Sequence, residues 1–72
     1  MNDMTKKVYI EGMSCNHCVK HVREALIQID GVKDARVSLE GKYAEIDLDH
    51  DIDEKLIKDA VDNAGYEVTG IE

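Results

Sequence analysis

Apolar and polar residues alternate in some stretches of the chain and follow a helical period in others, and this rhythm predicts the secondary structure. Lys7 to Glu11 alternates, with Val8 and Ile10 on one side and Tyr9 and Glu11 on the other, as a half-buried strand does. Gly12 breaks the pattern. From about Asn16 to Ile29 the period changes: Val19, Val22, Ala25, Leu26 and Ile29 fall within an arc of roughly 120° at 100° per residue, with Lys20, Arg23, Glu24 and Ile27 outside it. That is an amphipathic helix, and Gly31 follows as its C-cap. Val32 to Leu39 and Tyr43 to Leu48 alternate again, joined by Glu40-Gly41-Lys42 with Gly41 available for a positive φ, so residues 32–48 predict a β-hairpin. Asp51 and Glu54 have capping-box spacing at the start of a second helix, whose stripe is Leu56, Ile57, Ala60, Val61 and Ala64. Gly65 ends that helix, and Tyr66 to Ile71 predicts a last strand.

The order β-α-β-β-α-β, in two similar halves, predicts an α+β fold of the ferredoxin-like split βαβ type. Its four-stranded antiparallel sheet carries both helices on one face and turns the other to water. No linker or low-complexity stretch divides the chain, so residues 1–72 are expected to form a single domain.

Charge narrows the function classes. The net charge is −7 and unevenly spread: residues 1–42 carry a net +1 and residues 43–72 a net −8. A phosphate backbone is repelled by such a chain, and three tyrosines do not supply a stacking surface, so nucleic acid is excluded as a partner. No segment is apolar enough for membrane insertion or for a secretory signal. The expected location is cytoplasmic, where thiols stay reduced.

Both cysteines of the chain, Cys15 and Cys18, lie in the stretch GMSCNHCVKHV. A bridge between them would close too short a loop to brace the fold. Cys15 falls in the loop after the first strand and Cys18 in the first turn of the first helix, where unpaired N–H groups and the helix dipole favour thiolate. Such a pair suits either disulfide exchange or metal ligation. Against a thiol-disulfide oxidoreductase of the thioredoxin kind stand the short chain, the complete lack of proline and the lack of an aromatic residue beside the motif. A structural zinc site normally needs four ligands. His17 would leave the first turn in another direction, and His21 lies near 300° on the wheel against 0° for Cys18, so both read as solvated surface residues. Two thiolates alone suit a soft ion of low coordination number, above all Cu(I), and leave it open to a third ligand and hence to transfer.

Gly12-Met13-Ser14-Cys15-Asn16-His17-Cys18, placed between a strand and an amphipathic helix, closely resembles the GMxCxxC motif of heavy-metal-associated domains. The likeness extends to Gly31-Val32 and Ala64-Gly65-Tyr66, and the free-standing length is similar to that of bacterial copper chaperones. This resemblance implies that Cys15 and Cys18 ligate Cu(I) and that the ion passes to the metal-binding domain of a copper-transporting P-type ATPase, with a copper-responsive repressor as a further recipient. It implies that Met13 packs beneath the loop and is not a ligand, and that Tyr66 screens and orients the thiolates. Lys20 and Arg23, on the exposed side of the first helix, are the expected docking residues for an acidic partner surface. The alternative that the resemblance implies is a soft-metal-binding domain for another ion, Hg(II), Cd(II), Zn(II) or Ag(I), or a part of a transport ATPase. The metal-free chain is expected to be a monomer, and copper bridging four sulfurs would make a dimer. The acidic stretch from Asp47 to Asp53 lacks the Gly and Glu that a calcium loop needs at its sixth and twelfth positions, and reads as a solvated loop.

Overall fold

The computed structural model describes residues 4–72. Its elements are β1 (Met4–Glu11), α1 (Asn16–Ile27), β2 (Val32–Ser38), β3 (Tyr43–Leu48), α2 (Glu54–Asn63) and β4 (Glu67–Ile71). The strands form one antiparallel sheet in the order β2-β3-β1-β4. This is the expected ferredoxin-like arrangement. Val8 and Ile10 of β1, Ala35 of β2 and Ala44, Ile46 and Leu48 of β3 turn to one face. Val22 and Leu26 of α1 and Ile57 and Val61 of α2 close over them, so the core lies between the sheet and the two helices.

The opposite face is polar and internally bonded. Arg36 makes a two-pronged contact with Asp47, at 2.9 and 3.0 Å, and Thr5 donates to the same carboxylate. Lys7 lies over the rings of Tyr9 and Tyr43, 4.3 Å from the Tyr43 centroid.

Several boundaries differ from the sequence expectation, each for a local reason. β1 starts earlier, at Met4, because the full length of β3 is there to pair with it, Met4 opposite Leu48. α1 stops at Ile27 with Gln28 as C-cap, and the Ile29 N–H already bonds to the Leu26 carbonyl in a tighter turn. Ile27, expected outside the stripe, is half-buried against the core. Gly31 is therefore not the cap. It adopts φ +100° in the turn before β2, where a Cβ would collide with Ile52 and His50.

In the hairpin the left-handed residue is Lys42, at φ 60°, and not Gly41. Gly41 is needed instead because the Tyr43 ring occupies the space of a side chain. The N-cap of α2 is Asp53 and not Asp51. Ile52 and Ile57 then take the two positions of a hydrophobic staple, both against the core, which a start at Asp51 would not allow. Leu56, at the rim of its stripe, is 49% exposed.

Candidate metal centre

β1 runs through the middle of the sheet and delivers the loop 12–15 to one end of it. Gly12 turns that loop at φ +100°, and Met13 then inserts into the core at 8% exposure. The thioether is thus an anchor under the loop and points away from water. Ser14 and Cys15 follow in the open. Cys15 is the N-cap of α1 in extended conformation, and its carbonyl accepts the Cys18 N–H at 3.0 Å. Its own side chain makes no capping bond. The sulfur is left to face outward, and Cys18 sits one turn further on, half-buried against the core.

The two Sγ atoms are 3.5 Å apart, and both thiols are free. A metal–sulfur distance of about 2.3 Å lets two thiolates on one ion stand up to about 4.6 Å apart, so this pair need separate by only about 1 Å at most to hold a single ion between them. The Ser14 backbone N–H, the Tyr66 hydroxyl and the Cys15 thiol all act on the Cys18 sulfur and pull its pKa from 9.0 down to about 6. The half-buried position of the thiol opposes them. The same contact raises the pKa of Tyr66, because a phenol that donates to a thiolate holds its proton.

Tyr66 reaches the site through the end of α2. Its N–H bonds to the Val61 carbonyl at 3.1 Å and the Gly65 N–H bonds to that of Asp62 at 3.0 Å, with Gly65 at φ +96°. These are the paired bonds of a Schellman motif, which reverses the chain after α2. The pairing of Glu11 with Glu67 then sets the start of β4 beside the end of β1. As a result Tyr66 lies against Gly12, whose Cβ, if it had one, would be 3.5 Å from the ring.

His17 and His21 are exposed and face each other, with ring centroids 6.0 Å apart. Among the described residues no group of three or more His, Cys, Asp or Glu gathers around a common point. Lys20 is exposed on α1. Arg23 is committed to the neighbouring strand: its Nε donates to the Ala35 carbonyl at 3.1 Å and its guanidinium lies 3.6 Å from Asp34.

Ser14 was absent from the sequence reading of the site. Its backbone N–H is the strongest influence on Cys18. A backbone donor carries no residue signature, and only the placement of Cys18 one turn into the helix hinted at it. The half-burial of Cys18 did have a signal. At 0° on the wheel it falls inside the apolar arc that runs from Ala25 to Val19.

Comparison with known proteins agrees with this geometry. The family model described as "Heavy-metal-associated domain" matches residues 7–67. A copper chaperone CopZ of Staphylococcus saprophyticus is 43% identical over 65 residues, covering 89% of this chain and 96% of the relative. The solved structure of a CopZ metallochaperone superposes with a TM-score of 0.85 at 37% identity, over 92% of this chain and all of that one. A copper-binding domain from HMA7, a P-type ATPase, does so with a TM-score of 0.82 at 33% identity, over 96% of this chain and 99% of that one. With a βαββαβ sandwich, two adjacent thiols at the start of its first helix and a family match over most of its length, the chain belongs to the heavy-metal-associated domain family.

Proposed function

We propose that this protein is a cytoplasmic copper chaperone, a binding protein and not an enzyme. In this reading a single domain carries one Cu(I) between Cys15 and Cys18 and hands it to the metal-binding domain of a copper-transporting P-type ATPase. The observation that carries the reading is the pair of free sulfurs 3.5 Å apart at an open helix start, with no third His, Cys, Asp or Glu gathered there among the described residues. Soft thiolates select a soft ion, and a set of two leaves the ion open to attack.

Transfer then proceeds by ligand exchange without any change of oxidation state. A thiolate of the recipient adds to the copper, one of the two chaperone thiolates leaves as an anion, and the second exchange repeats the step. The Tyr66 hydroxyl supports the released Cys18 as an anion and shields that side of the site from water. Met13 holds the loop from beneath. Lys20 and the exposed edge of Arg23 offer positive charge beside the thiols to an acidic recipient surface. Support for the recipient comes from the shared fold of the copper-binding P-type ATPase domain, which lets donor and acceptor present similar sites to each other. A copper-responsive repressor is a second recipient of the same kind. Copper shared by four sulfurs would join two chains, and sedimentation across copper ratios that shows one unchanged monomer would end that idea.

The experiment is an anaerobic Cu(I) titration of the reduced protein against a competing chromophoric chelator, beside Cys15→Ala and Cys18→Ala and with Zn(II) as comparison ion. One tight Cu(I) equivalent per chain is expected, lost in both variants and poorly matched by Zn(II). Weak binding that survives either substitution would remove the metal reading and return the thiol pair to disulfide chemistry.

A further inference from the structure

α1 carries a second pair of donor side chains that the thiol site leaves unused. His17 and His21 stand one helical turn apart within Asn16–Ile27, and both are exposed. Their ring centroids are 6.0 Å apart, with planes inclined at 51°. Among the described residues neither ring is held by a hydrogen bond or ion pair, in contrast to His50, whose Nδ1 meets the Asp49 carboxylate.

Side chains four residues apart on a helix project side by side, and two imidazoles at that spacing are the donor arrangement a helix presents to zinc. A zinc ion lies about 2.0–2.1 Å from each ligating nitrogen, and with a near-tetrahedral angle this brings the two ring centroids to about 5 Å. The observed pair is roughly 1 Å wider than that, a gap that side-chain rotation alone closes. His21 also borders the groove between α1 and α2, whose lining includes Glu24 and Asn63. The Glu24 carboxylate gives the groove mouth the charge that suits a cation. Lys20 shares this surface, and its exposed ammonium is free to swing into water.

We propose that His17 and His21 form a second metal site, separate from the thiol pair, that chelates a borderline divalent cation of the Zn(II) class. No third His, Cys, Asp or Glu among the described residues enlarges the set, so water completes the coordination and exchange is fast. The two sites divide ions by softness: imidazole takes the late first-row divalent ions, and the thiolate pair takes the soft monovalent one. On this arrangement the first two turns of one helix carry donors for two kinds of metal, and zinc can be held beside the cargo without entering its site.

The test is a Zn(II) titration of the full chain carrying Cys15→Ser and Cys18→Ser, followed by the NMR signals of the histidine ring protons. Removing the thiols makes the result independent of the copper reading, so failure of one leaves the other standing. One saturable equivalent is expected, shifting the His17 and His21 signals together. Adding His17→Gln or His21→Gln should weaken it at least about tenfold, since two linked donors bind far better than one, while His50→Gln should leave it unchanged. Ring signals that stay still up to millimolar zinc, or an affinity that is the same with and without His17 and His21, would overturn the proposal.

Discussion

α2 begins at Asp53, whose carboxylate accepts the Lys55 N–H at 3.0 Å and whose neighbour Glu54 adds a second negative charge, whereas α1 begins at Cys15, whose sulfur caps nothing and which has no acidic residue in its first turn. Both helices start after an extended residue and both pack on the same face of the sheet. They differ in what answers the unpaired N–H groups. At α2 the chain supplies its own anions and the helix start is closed. At α1 no side chain caps the helix start, and the Cys18 sulfur draws its backbone donors from Ser14 and Cys15, just before the first helical residue. The comparison teaches that a helix start can be assigned to stability or to chemistry. An N-cap that stabilises a helix by about 1 kcal/mol is forgone at α1, where the same position carries an exposed thiol.

Exchanging the two starts breaks the comparison most severely. Cys15→Asp should cap α1 and raise folding stability by about 0.5–2 kcal/mol, while abolishing high-affinity Cu(I) binding. Chemical denaturation and the chelator competition, run on the same sample, should move in opposite directions; retained tight copper would show that the α1 start is not the site.

Gly65→Ala tests how α2 serves the centre from its other end. The position is left-handed at φ +96° with open space around it, so the cost is purely that of the backbone, about 1–2 kcal/mol of unfolding free energy read by urea denaturation. Asp53→Ala removes the α2 cap and should cost about 1 kcal/mol of stability with Cu(I) affinity unchanged. A fall in affinity there would couple the two helix starts.

The smallest effect is a shift in titration. The Cys18 thiol is pulled from 9.0 to about 6 in the folded protein. Its thiolate therefore contributes stability that is fully present above the unfolded value, declines as pH falls, and is gone below the folded value. The stability difference between the wild type and Cys18→Ala should follow that course between pH about 9 and about 6. Tyr66→Phe removes one of the donors, so the pH midpoint of Cys18 alkylation should rise, with Cu(I) affinity reduced by about tenfold at most. An unmoved midpoint would assign Tyr66 to packing alone.

What was legible along the chain follows from periodicity and from residue type. Alternation at Val8 and Ile10 and at Ala44, Ile46 and Leu48, and the helical spacing of Val22 and Leu26, found the core because burial selects for those periods. Gly65 was read correctly as a helix end, since a left-handed residue there has a local cause. Gly31, Gly41 and Asp51 were misread because their roles are set by residues that fold against them: His50 and Ile52 at Gly31, the Tyr43 ring at Gly41, and the Ile52–Ile57 staple that moved the cap to Asp53.

The centre divides in the same way. Cys15-x-x-Cys18 at a helix start is a local pattern, because three residues of helix bring two sulfurs to one side whatever the rest of the chain does. The sequence by itself thus determined the fold class, the position of the thiol pair and the softness of the ion it suits. Only the tertiary structure decided the environment of those thiols. Antiparallel pairing of β1 with β4 carries Tyr66 to Cys18, the core accepts Met13 and turns its sulfur away, and β2 takes hold of Arg23. These are contacts between residues far apart in the chain, and no local period encodes them.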